Sequence, residues 1–278
     1  MAQLRLDQRT VTTLVAEATT APSMHNAQPW RFRFLAAERL VLLRADPARA
    51  MPRSDPGNRA LHIGCGAALF NLRVAAVHAS LVPRIRLLPD PRDPLLLASV
   101  QLADLSEAPQ EKDLWRLHPA IRQRRTSRHP FSERDIPENV RATLQAAAAR
   151  EGATLLFPGL WHVDTLLELV RDAESRDLVR AEEDEDLVRW TRLGGEVDTA
   201  VDGVPAYAFG PRKSDGKAPS ATSPDAGRCP TGEVRPSSAL RTWPCSAPAV
   251  TAPGTGWRPA RHWNAFYWRA LCGGCPRP

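Results

Sequence analysis

PSMHNAQPW, residues Pro22 to Trp30, sets Ser23, His25, Asn26 and Gln28 between two prolines and hands the chain to an apolar stretch at Trp30. Each proline fixes its own φ, so the segment has little freedom, which suits polar groups that must hold a geometry. Asn and Gln side chains both donate and accept hydrogen bonds. They match the alternating C=O and N–H edge of a flat heterocycle, a flavin or a base. The same residues also suit a plain connector in which Ser and Asn cap turns. Taken alone, the residue types leave both readings open.

Working outward, Val11, Leu14, Val15 and Ala18 recur at helical spacing, and Ala21-Pro22 stops that helix. Trp30 to Phe34 and Leu40 to Leu43 read as two short strands around a turn at residues 36–39. Leu61, Ala68, Leu69, Leu72, Ala75, Ala76 and Ala79 mark a long helix whose small residues allow close packing. Strands at 84–88 and 95–102 follow, divided by Pro89, Pro91 and Pro94. A helix is expected near 114–123, and Asp135-Ile136-Pro137-Glu138 opens an Ala-rich helix that runs to Arg150. A strand at 154–157 and a helical stretch over 163–192 complete the list of elements. The apolar positions of that stretch are Leu166, Leu167, Val170, Leu178, Leu187 and Val188, and its acidic run, 182–186, reads as a solvated face. The fold class expected is α/β.

The second informative stretch is RRTSRHPF, Arg124 to Phe131. Arg side chains offer forked cationic donors and hydroxyls add neutral ones, so the cluster makes a phosphate cradle or else a basic surface loop. Aromatic side chains do not interleave with it, and no nucleic-acid contact is expected. Gly64-Cys65-Gly66 is not a dinucleotide fingerprint, because Leu69 stands where a third glycine would be. Cys65 reads as a small packing residue, and His62 and His78 as structural residues of the long helix. Cys272 and Cys275, with Cys229, Cys245 and His262, match no standard zinc spacing, so no metal is expected.

At 278 residues the chain has room for one large domain or two small ones. The net charge of +6 comes from Arg spread along the chain rather than from a block. No stretch is expected to approach the ~20 apolar residues of a membrane span, and the polar N-terminus shows no secretory signal, so the expected location is cytoplasmic. An odd number of cysteines, 5, argues against a disulfide framework. From about residue 214 the character changes. Proline recurs every few residues, Ile and Met are absent, and Cys and Trp accumulate. Such a tail is expected to be disordered, since it has little apolar surface with which to offset its ordering entropy.

PSMHNAQPW followed by RFRF resembles the nitroreductase signature in which a Pro-Ser…Asn loop lines FMN. RRTSRHPF resembles that family's Arg-x-Ser-x-basic-x-Phe phosphate motif. The resemblance implies that Pro22, Ser23, Asn26 and Gln28 face the flavin, and that Arg125 and Ser127 hold its phosphate. Arg128 or His129 would stand in the place of the usual Lys or Arg. More weakly, GCGAALFNLRVAAVHASL resembles the family's central helix and DGVPAYAFGP its later lid, so the likeness covers roughly residues 8–213.

In ordinary nitroreductases the Arg motif comes first, and the two motifs meet across a homodimer. Here the Asn motif precedes the Arg motif by about a hundred residues, which is similar to the Acg-type fused subfamily. That likeness implies an internally duplicated, pseudo-dimeric α+β fold, with a first half at 1–110, an incomplete second half at 111–213 and the tail at 214–278. It implies FMN as cofactor, NAD(P)H as electron donor, a nitro compound or quinone as small-molecule acceptor, and a monomer or weak homodimer. A flavin-sequestering protein without turnover and a truncated, inactive copy are the rival readings. The strand–helix–strand segment that the likeness implies there does not show from Ser220 onward, and the tail's Pro, Arg, Trp and Cys usage resembles the product of a frameshift in a GC-rich frame.

Overall fold

A computed structural model describes residues 6–104, 113–127, 135–178, 185–194 and 199–209. Their contacts gather them into two units, 6–126 and 127–209. The expectations for Arg128, His129, residues 182–184 and the tail lie outside the described residues.

In the first unit, Asp7 opens α1 (Gln8–Ala18), its carboxylate accepting the Thr10 amide at 2.7 Å. Val11, Leu14 and Ala18 form the buried stripe of α1. Strands β1 (Trp30–Leu35) and β2 (Leu40–Ala45) flank a 3-10 turn and a left-handed Arg39, φ 49°. The turn expected at 36–39 is thus formed. α2 (Arg59–His78) begins after a left-handed Asn58, and Asp55 accepts the Leu61 amide at 3.0 Å in place of the usual cap. β3 (Leu81–Leu87) and β4 (Leu96–Asp104) follow, and a 3-10 turn at Leu114–Leu117 runs into α3 (His118–Gln123).

The sheet is antiparallel throughout, in the order β1-β2-β4-β3. With the helices, this makes the mixed helix-and-sheet class expected from the sequence. Val41, Leu43 and Ala45 alternate inward along β2, opposite Val100 and Ala98 of β4. They pack in one core with Leu61, Cys65, Ala68, Leu69 and Leu72 of α2 and Val11 and Leu14 of α1. Each fully buried Leu or Val adds roughly 1.5–3 kcal/mol of burial. α2 is, by length and mean hydropathy of 1.5, apolar enough to cross a bilayer, a correction to the sequence reading. It is a core helix here, with 61% of that apolar window buried. On the opposite sheet face the outer strands carry exposed arginines, Arg31 and Arg33 on β1 and Arg84 and Arg86 on β3. Register puts Arg33 and Arg86 on one line across the sheet, through Leu42 and Ser99.

The second unit holds α4 (Glu138–Arg150), α5 (Leu160–Leu178), α6 (Glu185–Trp190) and a two-residue parallel pair, β5 (Thr191–Arg192) with β6 (Val204–Pro205). The expected strand at 154–157 is reduced to one bridging residue, Leu156. No strand lies beside it among the described residues, and Pro158-Gly159 follows at once. The stretch expected to be helical over 163–192 is α5 and α6, and its last two residues are extended. Asp186 also departs from the expected solvated face. It is 4% exposed in the first turn of α6, where the helix dipole favours a carboxylate.

Candidate functional site

Between α1 and β1 the chain makes a 3-10 turn at Met24–Asn26, and His25, Asn26 and Gln28 adopt left-handed backbone with φ of 48°, 54° and 56°. Non-glycine residues held there cost roughly 1–3 kcal/mol each, so the surroundings must hold them. Ser23 Oγ accepts the Gln28 amide at 3.0 Å, and Gln28 Nε2 donates to Asn26 Oδ1 at 2.7 Å. Pro29 O accepts the Asp46 amide at 2.9 Å and the Cys65 thiol at 3.3 Å. Arg49 donates to Ala27 O at 2.7 Å, and its Nε lies 3.7 Å from the Asp46 carboxylate, which Arg31 grips at 2.8 Å. The loop also lies close on α2, since a Cβ at Gly64 would stand 3.3 Å from Ser23 Cβ and 3.5 Å from Pro29 Cγ.

Cys65 is fully buried, and burial, with the Asp46 charge adding to it, pushes its thiol well above the ordinary range. It serves packing and not nucleophilic chemistry, as the sequence reading had it. His62 and His78 also find structural partners. His62 Nδ1 lies 2.5 Å from Asn58 O, and the His78 ring stacks on His118.

The basic segment begins at the C-terminal end of α3. Arg124 donates to Thr20 O at 3.2 Å and to Thr126 Oγ1 at 3.0 Å. Thr20 stands two residues before Pro22, so the start of RRTSRHPF is fastened to the entry of PSMHNAQPW across about a hundred residues of chain. Arg125 is exposed and donates through Nη1 to the carbonyls of Arg122 and Arg124. Ser127 belongs to the second unit. Asp46 and Arg49 are contacts that the sequence reading did not single out, and Gly64 was read there only as part of a failed glycine pattern. Asp46 and Arg49 lie in a Pro-rich connector with no periodic signal.

No family model matches the chain. Over 213 residues, 77% of its length, it is 32% identical to the Mycobacterium tuberculosis protein named "Putative NAD(P)H nitroreductase Rv3131". The chain is a relative of proteins named putative NAD(P)H nitroreductases. A second relative from the same organism, named "Putative NAD(P)H nitroreductase acg", is 39% identical over 138 residues, 48% of this chain and 40% of its own. The chain spans 58% of the length of the first, less than two thirds. A solved nitroreductase family protein from Streptococcus pneumoniae matches 38% of this chain and 84% of its own at 18% identity, with a TM-score of 0.32. The kinship rests on the sequence matches, and it bears out the family resemblance carried by the two motifs.

Proposed function

We propose that this chain is an FMN-binding oxidoreductase that passes electrons from NAD(P)H to a small nitro compound or quinone. The observation that carries the reading is the Arg124–Thr20 bond, which fastens the start of the basic motif to the entry of the amide-rich loop. The residues present fit a flavin. The strained turn fixes the Asn26 and Gln28 amides against each other, and an amide pair of that kind suits the donor and acceptor edge of the ring. Arg125 has Nε and Nη2 without a partner among the described residues, as a phosphate-binding guanidinium requires. Pro22 and Ser23 shape the loop beside these amides, and the phosphate motif continues in sequence through Ser127, Arg128 and His129.

Bound FMN supplies the hydride chemistry. The chain's own part is to orient the ring through Ser23, Asn26 and Gln28 and to balance the phosphate charge through the arginines. The reading extends to two fused halves, 1–110 and 111–213, with the flavin residues supplied by one polypeptide that is monomeric or weakly dimeric.

The test is the visible spectrum of the purified full chain with and without added FMN, followed by NADPH oxidation with menadione or a nitrofuran. The wild type is expected to be yellow and to turn over. The double variant Arg125→Ala with Asn26→Ala is expected to be colourless, and full flavin occupancy in it would remove the assignment. Bound flavin without turnover would select a flavin-sequestering role instead.

A further inference from the structure

Glu17 lies in the last turn of α1, where the helix presents its negative end, and is only 6% exposed. Both its burial and its position disfavour a carboxylate there. Its partners resolve the conflict. Oε2 lies 2.9 Å from Nε2 of His118 at the head of α3, and Oε1 lies 3.7 Å from Arg122 one turn on. The His118 ring stacks at 3.6 Å, with planes 9° apart, on His78, the last residue of α2. From α2, Asn71 donates to Glu17 O at 3.4 Å and to Thr20 Oγ1 at 3.3 Å. The Glu17 side chain therefore ties the end of α1 to α3, and the His118 ring it holds stacks on the end of α2.

α3 buries a single residue, Ile121, so polar contacts more than apolar packing fix its place. The chain leaving α3 is the basic segment, and Arg124 closes it back on Thr20. The amide-rich loop is anchored elsewhere, through Asp46, Arg49, Cys65 and Gly64.

We propose that Glu17 and His118 form a clasp that positions Arg124 and Arg125 for the phosphate of the flavin. Both are positioning residues, and the proposal rests on the flavin reading above. Releasing the clasp lets α3 shift and takes the guanidinium groups out of register. The loop that faces the ring keeps its own anchors. The effect therefore falls on the phosphate end alone.

The experiment titrates the full-length apoprotein with FMN and with riboflavin, which lacks the phosphate, following flavin fluorescence. Wild type, Glu17→Gln and His118→Gln are compared, and hydrogen exchange is measured at residues 124–126. Glu17→Gln keeps the shape and a neutral hydrogen bond, so it guards against simple unfolding, and circular dichroism checks the fold of each variant. Both variants are expected to bind FMN about tenfold more weakly, the loss of one charge-assisted contact. Riboflavin affinity should stay within about twofold, well under that contact's worth. Exchange at residues 124–126 should quicken while α2 stays protected. An unchanged FMN-to-riboflavin preference in a folded variant overturns the clasp and leaves the flavin reading standing. Faster exchange spreading through α2 also overturns it, by showing a general structural role. Wild-type protein that binds neither flavin overturns the flavin reading, and the clasp with it.

Discussion

A hydrogen atom in place of a side chain at Gly64 lets α2 lie directly against Ser23 and Pro29. Alanine there would gain up to about 1 kcal/mol of helix propensity and lose some of it to the tight 3.3 Å approach, so Gly64→Ala should be close to neutral. Valine adds two methyl groups to the same gap and should cost about 1–3 kcal/mol by overpacking. The urea midpoints of the two variants test this, and a valine variant as stable as the wild type would show that the loop is not seated on the helix. The need for this glycine was not legible in the sequence. Gly64-Cys65-Gly66 was visible as a pattern, but nothing in a linear pattern says which surface comes so close. Glu17 was equally silent, a polar position between Ala16 and Ala18. Asn26 and Gln28 were legible because the prolines around them announce a constrained loop.

The elements of the first unit were legible to within a few residues because each buries a face with its own period. β2 alternates inward and outward, and α2 covers the sheet with small residues and leucines at helical spacing. The strand expected at 154–157 is reduced to one bridging residue, because Pro158-Gly159 follows at once and proline has no N–H to give to a ladder. Arg39 shows how an element's end is held. It accepts a left-handed φ of 49°, which glycine would adopt without strain, and its guanidinium grips Asp104 at the end of β4 at 2.6 and 2.9 Å. Hydrogen bonding to Arg39 holds the Asp104 carboxyl below its ordinary 3.8. A depressed carboxylate contributes stability above its unfolded value, and that contribution is lost as pH falls through the lower folded value. Arg39→Gln should therefore lower the urea midpoint near neutral pH, and its difference from wild type should shrink below pH 3.8. A difference that does not change with pH would mean that the pair contributes nothing.

For the whole molecule, the likeness to nitroreductases was legible from two short motifs, and the sequence matches at 32% and 39% identity agree with it. The proposed activity was less legible, because it would depend on how a bound flavin meets its donor and acceptor. The exposed arginines on β1 and β3 carry a consequence for how copies of the chain meet. Those strands are the outer members of the four-stranded sheet. A copy that lined up its own outer strand there would set Arg beside Arg, and like charges on adjacent strands repel. Such repulsion would keep copies apart, and charge is screened: the Debye length falls from about 10 Å at 0.1 M salt to about 3 Å at 1 M. Light scattering is expected to rise as salt is added, and Arg33→Ser with Arg86→Ser should move that rise to lower salt. Scattering that is flat across the salt range would show that the arginines have no part in keeping copies separate. On this account the sheet's outer strands would form a salt-tuned barrier to self-association, set chiefly by Arg33 and Arg86, two side chains that take no part in the core.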